Sequence, residues 1–248
     1  MQNKLEPIYK EVFDLIKKAE KPIFAVFDFD NTCTVNDIGD ATLAFMTRNN
    51  LFRNKNSLLS EFENYHKLYN AGQIKEAYEF MAKTLSRFSV DEISRITEKV
   101  IKFEGEEIGE VEMFGRKIAK GLRPRKEIIE LIDFLKNNGV DVWVVSASSE
   151  ILVRQAMKHF NIEVNLIGVR NVIVDGKITN ELEKPLSIYE GKVECIKKFI
   201  DPNQKPLIGV GDSINDLPML EYCEIKIVVD RQNTLSEKAK QNKWFLIY

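Results

Sequence analysis

The chain has 248 residues, 44% hydrophobic and 30% charged, with 36 basic and 38 acidic side chains and a net charge of -2. This is soluble globular material for one large domain or two smaller ones. The near balance of charge gives no global field to recruit nucleic acid or anionic lipid, and no apolar run approaches the roughly 20 residues that span a bilayer.

The first 21 residues lack an uninterrupted apolar core, so a secretory leader is not expected. Within them, Leu5, Ile8, Val12, Phe13, Leu15 and Ile16 fall near helical spacing and predict an amphipathic helix over residues 5–19. "PIFAVFD" follows as a short strand apolar on both faces, the kind buried in a parallel sheet. From about Asp37 to Gly121 the pattern changes. "SLLSEFENYHKLYN", "QIKEAYEFMAKTLSRF" and "VDEISRITEKVIKF" read as helices with polar faces, and no strand is expected there. Residues 36–120 are therefore expected to form an inserted all-helical cap, leaving 1–35 and 121–248 as the core.

After Gly121 helices and strands alternate. "RPRKEIIELIDFLKNNG" predicts a helix with Pro124 in its first turn and Gly139 at its C-terminal end. "VDVWVVSAS" is a buried strand, and "SEILVRQAMKHF" a helix capped by Ser148 or Ser149. "NVIVDGKIT" is a hairpin turning at Asp175-Gly176. "GKVECIKKFI" is a helix, and "KPLIGVGD" and "EIKIVV" are strands. The alternation argues for an α/β fold, a parallel sheet covered on both faces. Cys33, Cys195 and Cys223 are odd in number and lack CxxC spacing. They read as reduced thiols of a cytoplasmic protein, neither a disulfide frame nor a zinc centre.

In such sheets ligands bind beyond the carboxyl ends of the strands. Polar groups gather there from four stretches: Asp28 and Asp30 in "DFDNT", Ser146 in "VVSAS", Lys192 after Gly191, and Asp212, Asn215 and Asp216 in "GDSIND". Each alone has a bland reading as a turn, a cap or a solvated surface group. Together they suit phosphoryl transfer through a carboxylate nucleophile, with Mg²⁺ allowing acids and phosphate to share a pocket. Asp28 and Asp212 can offer carboxylates to the metal. Asp30 can offer its carbonyl to the metal and its side chain to the leaving oxygen, and Ser146 and Lys192 can hold phosphate oxygens.

In these motifs and their order the chain resembles the haloacid dehalogenase superfamily, in its phosphoserine phosphatase-like branch. The resemblance runs through nearly all of residues 22–229. It implies a three-layer Rossmann-like core with an inserted cap, and an Mg²⁺-dependent phosphatase that passes through an aspartyl-phosphate. Residue by residue, it implies Asp28 as nucleophile and Asp30 as general acid and base. Ser146, Ala147 and Lys192 are implied as phosphate binders, and Asp28, Asp30 and Asp212 as the metal site. Asn215 and Asp216 are implied as supports behind it, and Thr32 as a residue of the substrate side that steadies the first loop. The dehalogenase reaction itself is disfavoured, because that branch lacks the second aspartate and the metal. A phosphomutase, a sugar-phosphate phosphatase and a non-catalytic binding protein on the same fold are the alternatives.

Asp37 takes the position where phosphoserine phosphatases carry a glutamate facing the substrate ammonium. The arginine that faces the carboxylate in those enzymes aligns near Met81, with Arg87 the nearest arginine, so no cation is expected for a substrate carboxylate and an ammonium ester without a carboxylate is expected to be preferred. The "DNTCTVNDIGDATLAFM" run also resembles phosphocholine phosphatase-like relatives. The expectation is a small amine-bearing phosphomonoester, such as phosphocholine, phosphoethanolamine or a phosphoserine-like ester. Tyr65, Tyr69, Tyr78 and Phe80 are candidates for an ammonium cage, against the plainer reading that a small bundle needs them for its own core. Asp37 likewise has a plainer reading as the cap of the next helix. His66 and His159 are expected to be structural. The only partner expected is the small-molecule ester: no nucleic acid, no membrane, and a monomer or homodimer.

Overall fold

The fold is described from a computed structural model, covering residues 5–18, 22–53 and 59–248. The last residue of the first predicted helix and the start of "SLLSEF" (57–58) lie outside the described residues. Helix α1 (Glu6–Lys18) leads to strand β1 (Phe24–Phe27), a wide turn at Phe29–Cys33 and a two-residue strand β2 (Thr34–Val35). Then come α2 (Ile38–Arg48), α3 (Ser60–Asn70), α4 (Ile74–Thr84) and α5 (Val90–Glu104), strands β3 (Gly109–Met113) and β4 (Arg116–Lys120), and β5 (Arg123–Pro124). The chain continues as α6 (Lys126–Asn137), β6 (Asp141–Ser149), α7 (Glu150–His159), β7 (Asn165–Val169), β8 (Asn171–Val174) and β9 (Lys177–Leu182). It ends as α8 (Glu190–Phe199), β10 (Ile208–Gly211), α9 (Leu217–Tyr222), β11 (Ile225–Val229), α10 (Thr234–Gln241) and β12 (Phe245–Ile247).

Six strands form one parallel sheet in the order β12-β11-β10-β1-β6-β7. All four residues of β1 are buried, and they alternate between two cores. Ala25 and Phe27 pack with α1, α6 and α7, while Phe24 and Val26 pack with Cys195 and Ile196 of α8 and Met219 of α9. That makes three layers. Each fully buried side chain of this size contributes about 1.5–3 kcal/mol, so β1 is a rigid mount. Phe27 stands in register with Val210 of β10 and Val144 of β6, which brings three strand tips to one level.

The insert is not all-helical. Its four helices form as expected, but β3 and β4 pair as an antiparallel hairpin. Val111, Met113 and Ile118 turn partly inward while Glu110, Glu112, Lys117 and Ala119 lie exposed, a period of two. The turn uses Phe114 (φ 55) and Gly115 (φ 69), both left-handed as this tight hairpin turn requires. Pro124 does not enter α6 either. It pairs in β5 with β2, Thr34 opposite Pro124 and Val35 opposite Arg123.

This two-strand ribbon joins the two chain crossings between core and insert. Asn36 Nδ2 donates to the carbonyls of Lys120 (3.2 Å) and Gly121 (2.9 Å). Gly121 takes φ +91, and a β-carbon there would stand 2.2 Å from the carbonyl oxygen of Glu107, so no other residue fits. The insert's apolar core, including Met46, Phe62, Ile93 and Val100, is continuous with the main one. Among the described residues no helix is long and apolar enough to cross a membrane.

Candidate active site

Asp28 follows β1 directly, its amide donating to Val210 O at 2.8 Å. The chain then curls through the wide turn, with Asn31 at φ 59. The turn directs Asp30 toward β6 and α2: Ile38 N donates to Asp30 Oδ1 at 2.8 Å, and Ser146 Oγ lies 3.5 Å from Oδ2. From β10, Asp212 and Asp216 enter behind Gly211. Any side chain at Gly211 would meet Asp216 Cβ at 2.6 Å, so this close approach needs glycine. Asp216 Oδ2 accepts from the amides of Asp212 and Ser213, both at 3.1 Å.

Lys192 ties these pieces together. It is fully buried in the first turns of α8, and its Nζ lies 2.6 Å from both Asp28 Oδ1 and Asp216 Oδ1. Burial alone would lower its pKa, but the charges of Asp216 and Asp28 outweigh that and raise it, so it stays an ammonium. Carboxylate oxygens of Asp28, Asp212 and Asp216 lie within 4.8 Å of one another. Burial, and then the charge of Asp216, pushes the Asp212 carboxyl up to about 6, against the pull of Arg231 and Thr32. Burial, followed by neighbouring Asp216, also raises Asp28. Asp30 is raised too, by burial first and then by the charges of Asp37 and Asp28. Ionised, Asp28, Asp30, Asp212 and Asp216 carry four negative charges, and the two cations bonded to the cluster, Lys192 and Arg231, offset half of that. A divalent cation with a preference for hard oxygen ligands fits this donor set.

The predicted residues separate into two tiers. Asp28, Asp30, Asp37, Ala147, Asp212 and Asn215 line one cavity of about 200 Å³. Thr32, Ser146, Lys192 and Asp216 do not line it; all four are buried behind it. Thr32 therefore does not face a substrate. It donates to Asp212 Oδ1 at 3.2 Å and so steadies the first loop against the last. Ser146 Oγ accepts from Ser148 N at 3.0 Å, and Ala147 and Ser148 form the surface in front of it. Asn215 Oδ1 accepts from Tyr189 N at 2.8 Å and fixes the loop that leads into α8.

The insert supplies the opposite wall: Asp37, Asp40, Tyr65, Tyr69, Ile74 and Tyr78. Phe80 is not there; it lines a separate pocket with Phe52. Asp37 caps α2, its Oδ1 accepting from Gly39 N (2.7 Å) and Asp40 N (3.0 Å), so the plain capping reading is met. Burial, and then neighbouring Asp40, pushes its carboxyl up to about 7. Sequence reasoning missed Asp40, Ser148, Tyr189 and Arg231. Asp40 had a signal, since it stands one turn along from Asp37. Arg231 had none: it follows β11 and reaches Asp212 Oδ2 at 2.8 Å only because β11 neighbours β10. Its presence removes the argument that the cavity lacks a cation for a substrate carboxylate. Arg87 does not line the cavity, but Arg231 does.

Residues 25–221 match the family model of the haloacid dehalogenase-like hydrolases. The chain is 29% identical over 126 residues to the phosphoserine phosphatase of Methanocaldococcus jannaschii, covering 50% of this chain and 59% of that one, so the match spans little more than half of that relative. It is 24% identical over 265 residues to the phosphorylcholine phosphatase of Pseudomonas aeruginosa, covering 84% of this chain and 73% of that protein. A solved substrate-bound phosphoserine phosphatase shares the fold with a TM-score of 0.60 at 20% identity, over 92% of this chain and 94% of that one. With the family match covering most of the chain and the motif residues converging at the tips of one parallel sheet, this protein belongs to the haloacid dehalogenase-like hydrolase family.

Proposed function

We propose that the protein is an Mg²⁺-dependent phosphomonoesterase that works through an aspartyl-phosphate on Asp28, acting on a small amine-bearing ester. The observation that carries the reading is the lysine-centred cluster at the strand tips. Lys192 holds Asp28 and Asp216 at 2.6 Å each, with Asp212 close by and Asp30 two residues from Asp28. A nucleophilic carboxylate needs a fixed position and a cationic surrounding for the phosphate it attacks, and β1 and Lys192 provide them.

Asp28 and Asp212, with the Asp30 carbonyl, would hold Mg²⁺, which supplies charge neutralisation for the phosphate. Asp216 stands behind as the partner of Lys192. An Asp28 carboxylate oxygen attacks phosphorus, and the bond from phosphorus to the ester oxygen breaks. That oxygen takes the proton held on Asp30, whose carboxyl is raised by burial and neighbouring acids toward the protonated form. The resulting Asp30 carboxylate then takes a proton from water, whose oxygen attacks the aspartyl-phosphate and releases phosphate. Lys192, Ser146 and the Ala147–Ser148 segment are assigned to the phosphate oxygens, with Ser146 acting from behind the cavity surface.

Residues 36–120 act in this reading as a cap that opens and closes about 35–37 and 120–123, and closure excludes water from the phosphorylated aspartate. Asp37 and Asp40 face the leaving group, with three tyrosine rings beside them to accept an ammonium. Phosphocholine, phosphoethanolamine and phosphoserine-like esters are the candidates, and Arg231 admits a carboxylate among them. The test is phosphate release from a panel of small esters with and without metal. Exhaustive chelation should abolish release and Mg²⁺ should restore it; undiminished turnover after chelation contradicts the metal assignment.

A further inference from the structure

The stretch that carries Lys192 into the cluster begins with a strained turn. Tyr189 takes φ 50 and ψ -124, and the Gly191 amide donates to the Ile188 carbonyl at 3.0 Å. Those angles and that hydrogen bond make residues 188–191 a type II′ turn with Tyr189 at its first central position, the place glycine ordinarily fills. A residue with a β-carbon holds this conformation only under strain, and such strain persists where the surroundings over-determine it. Here they do. Tyr189 N donates to Asn215 Oδ1 at 2.8 Å, and two residues earlier Ser187 Oγ donates to the Ser146 carbonyl at 2.6 Å. The Lys192 amide in turn donates to the Tyr189 carbonyl at 3.0 Å. The turn is thus tied to β6 and to the loop after β10, independently of the insert.

Glycine at position 189 would deliver Lys192 by the same turn with less strain. The ring is what glycine would not supply. It is partly buried, packing against the cluster of Ala147, Val169, Leu186 and Ile188, as Tyr78 of the insert does. It also lines the active-site cavity, on the core side with Ile214 and Asn215. Burial, followed by the charges of Glu190 and Asp216, raises its phenol, so it meets the cavity as a neutral ring. Core packing accounts for the contact with the cluster. It does not account for a ring brought to the cavity from a turn that disfavours any side chain.

We propose that Tyr189 is the core's own leaving-group contact: its ring bears on the carbon chain of every ester, and so lets the core distinguish an ester from free phosphate. This rests on the phosphatase reading above and adds to it a binding residue that does not travel with the insert. The phosphate lies at Asp28 and Lys192, three residues along from the ring. Free phosphate has no carbon chain and leaves the ring untouched. The strain in the turn is retained because the ring is.

The test uses Tyr189→Gly, Tyr189→Ala and Tyr189→Phe, with 2-aminoethyl phosphate and nitrophenyl phosphate as esters and inorganic phosphate as competing inhibitor. Glycine relaxes the turn and alanine does not, so Tyr189→Gly should melt above Tyr189→Ala. Both should raise KM for the two esters alike, by about fivefold, the scale of a methylene or an ammonium covered by one ring. Tyr189→Phe should keep the native KM. Inhibition by phosphate should be the same in all four proteins, because the turn still delivers Lys192. A glycine variant that fails to fold or melts below the alanine one, an unchanged KM, or phosphate binding weakened in step with KM would overturn the proposal. The last result would make the turn a support for Lys192 alone. If the native protein hydrolyses neither ester, the phosphatase reading fails on its own. The contact is then judged by calorimetry with 2-aminoethylphosphonate and phosphate: phosphonate binding alone weakened in Tyr189→Gly supports it, and absent or unchanged phosphonate binding, or both ligands weakened together, overturns it.

Discussion

The two walls of the active-site cavity are built by different rules. On the core side, the charged groups are held mostly by partners fixed to the sheet, with Asp30 held also by the Ile38 amide of the insert. Lys192 is pinned between Asp28 and Asp216, Asp216 by two amides, and Asp212 by Thr32 and Arg231. On the insert side, the two carboxylates sit at the start of one helix among aromatic rings, Asp37 accepting from the amides of Gly39 and Asp40 and Asp40 hydrogen-bonded to Tyr65. A charge held rigidly in a buried place suits a reaction common to all substrates. A wall of rings and acids carried on the insert, away from the sheet, suits a choice among leaving groups. Changes on the core side should therefore strike all esters alike, and changes on the insert side should sort them.

Asp28→Asn offers the hardest break. It keeps the volume but removes the nucleophile, and turnover should fall by about 10⁴-fold or more for every ester. Near-normal phosphate release from the purified, folded variant would end the mechanism. Asp30→Asn sharpens the account of the core wall. It should cost at least about 10²-fold for alkyl phosphates and much less for nitrophenyl phosphate, whose leaving group needs little protonation. An equal loss for both ester types would give Asp30 another role.

Asp37→Asn tests the insert wall, with a smaller and selective effect. KM should rise about fivefold to tenfold for amine esters, the scale of a charge pair of about 1 kcal/mol, and stay flat for nitrophenyl phosphate. The pH dependence has a definite sign. With its carboxyl pushed up to about 7, Asp37 is neutral below that pH and charged above it. Relative to nitrophenyl phosphate, kcat/KM for amine esters should therefore rise as pH climbs through about 7, and the variant should lose that rise.

The smallest effect is expected where the insert meets the β8–β9 hairpin. Glu92 accepts from Arg53 at 2.6 Å and lies 3.2 Å from Lys177 Nζ. Its hydrogen bonds with Arg53 and the Ser89 amide hold its carboxyl well below the ordinary range. A depressed carboxyl stabilises the fold above its unfolded value and loses that contribution as pH falls through the folded one. Glu92→Gln should thus lower the melting temperature slightly at neutral pH, with the difference closing in acid. A difference that widens in acid would contradict this pairing.

Much of the core wall could be read from sequence because its motifs are short and end strands that the apolar runs already mark. "IFAVFD" and "LIGVGD" place Asp28 and Asp212 at neighbouring tips once the sheet is assumed parallel. What stayed hidden depends on contacts between distant segments. Arg231 joins the site through the order of β10 and β11, which no local pattern announces. The β3–β4 hairpin was missed for a local reason. Its turn is Phe114-Gly115 rather than Asn-Gly, and phenylalanine seldom marks a left-handed position. The strand β7 escaped because its sequence, NLIGV, starts on a polar residue and is broken by Gly168, so no clear apolar run marks it. Lys192, Ser146 and Thr32 were named as candidate site residues, but their depth behind the cavity surface was not readable from spacing alone.

Catalysis in this reading requires phosphate to become bonded to Asp28, and that bond can be seen directly. Native protein turning over a ³²P-labelled ester with Mg²⁺ is quenched in acid, reduced with borohydride and digested. An aspartyl-phosphate is reduced to homoserine, so the account predicts homoserine at position 28 and at no other aspartate, with the modification absent from Asp28→Asn. Label recovered as a stable phosphoserine or on a histidine, or rapid turnover with position 28 unmodified under every quench condition, would contradict it.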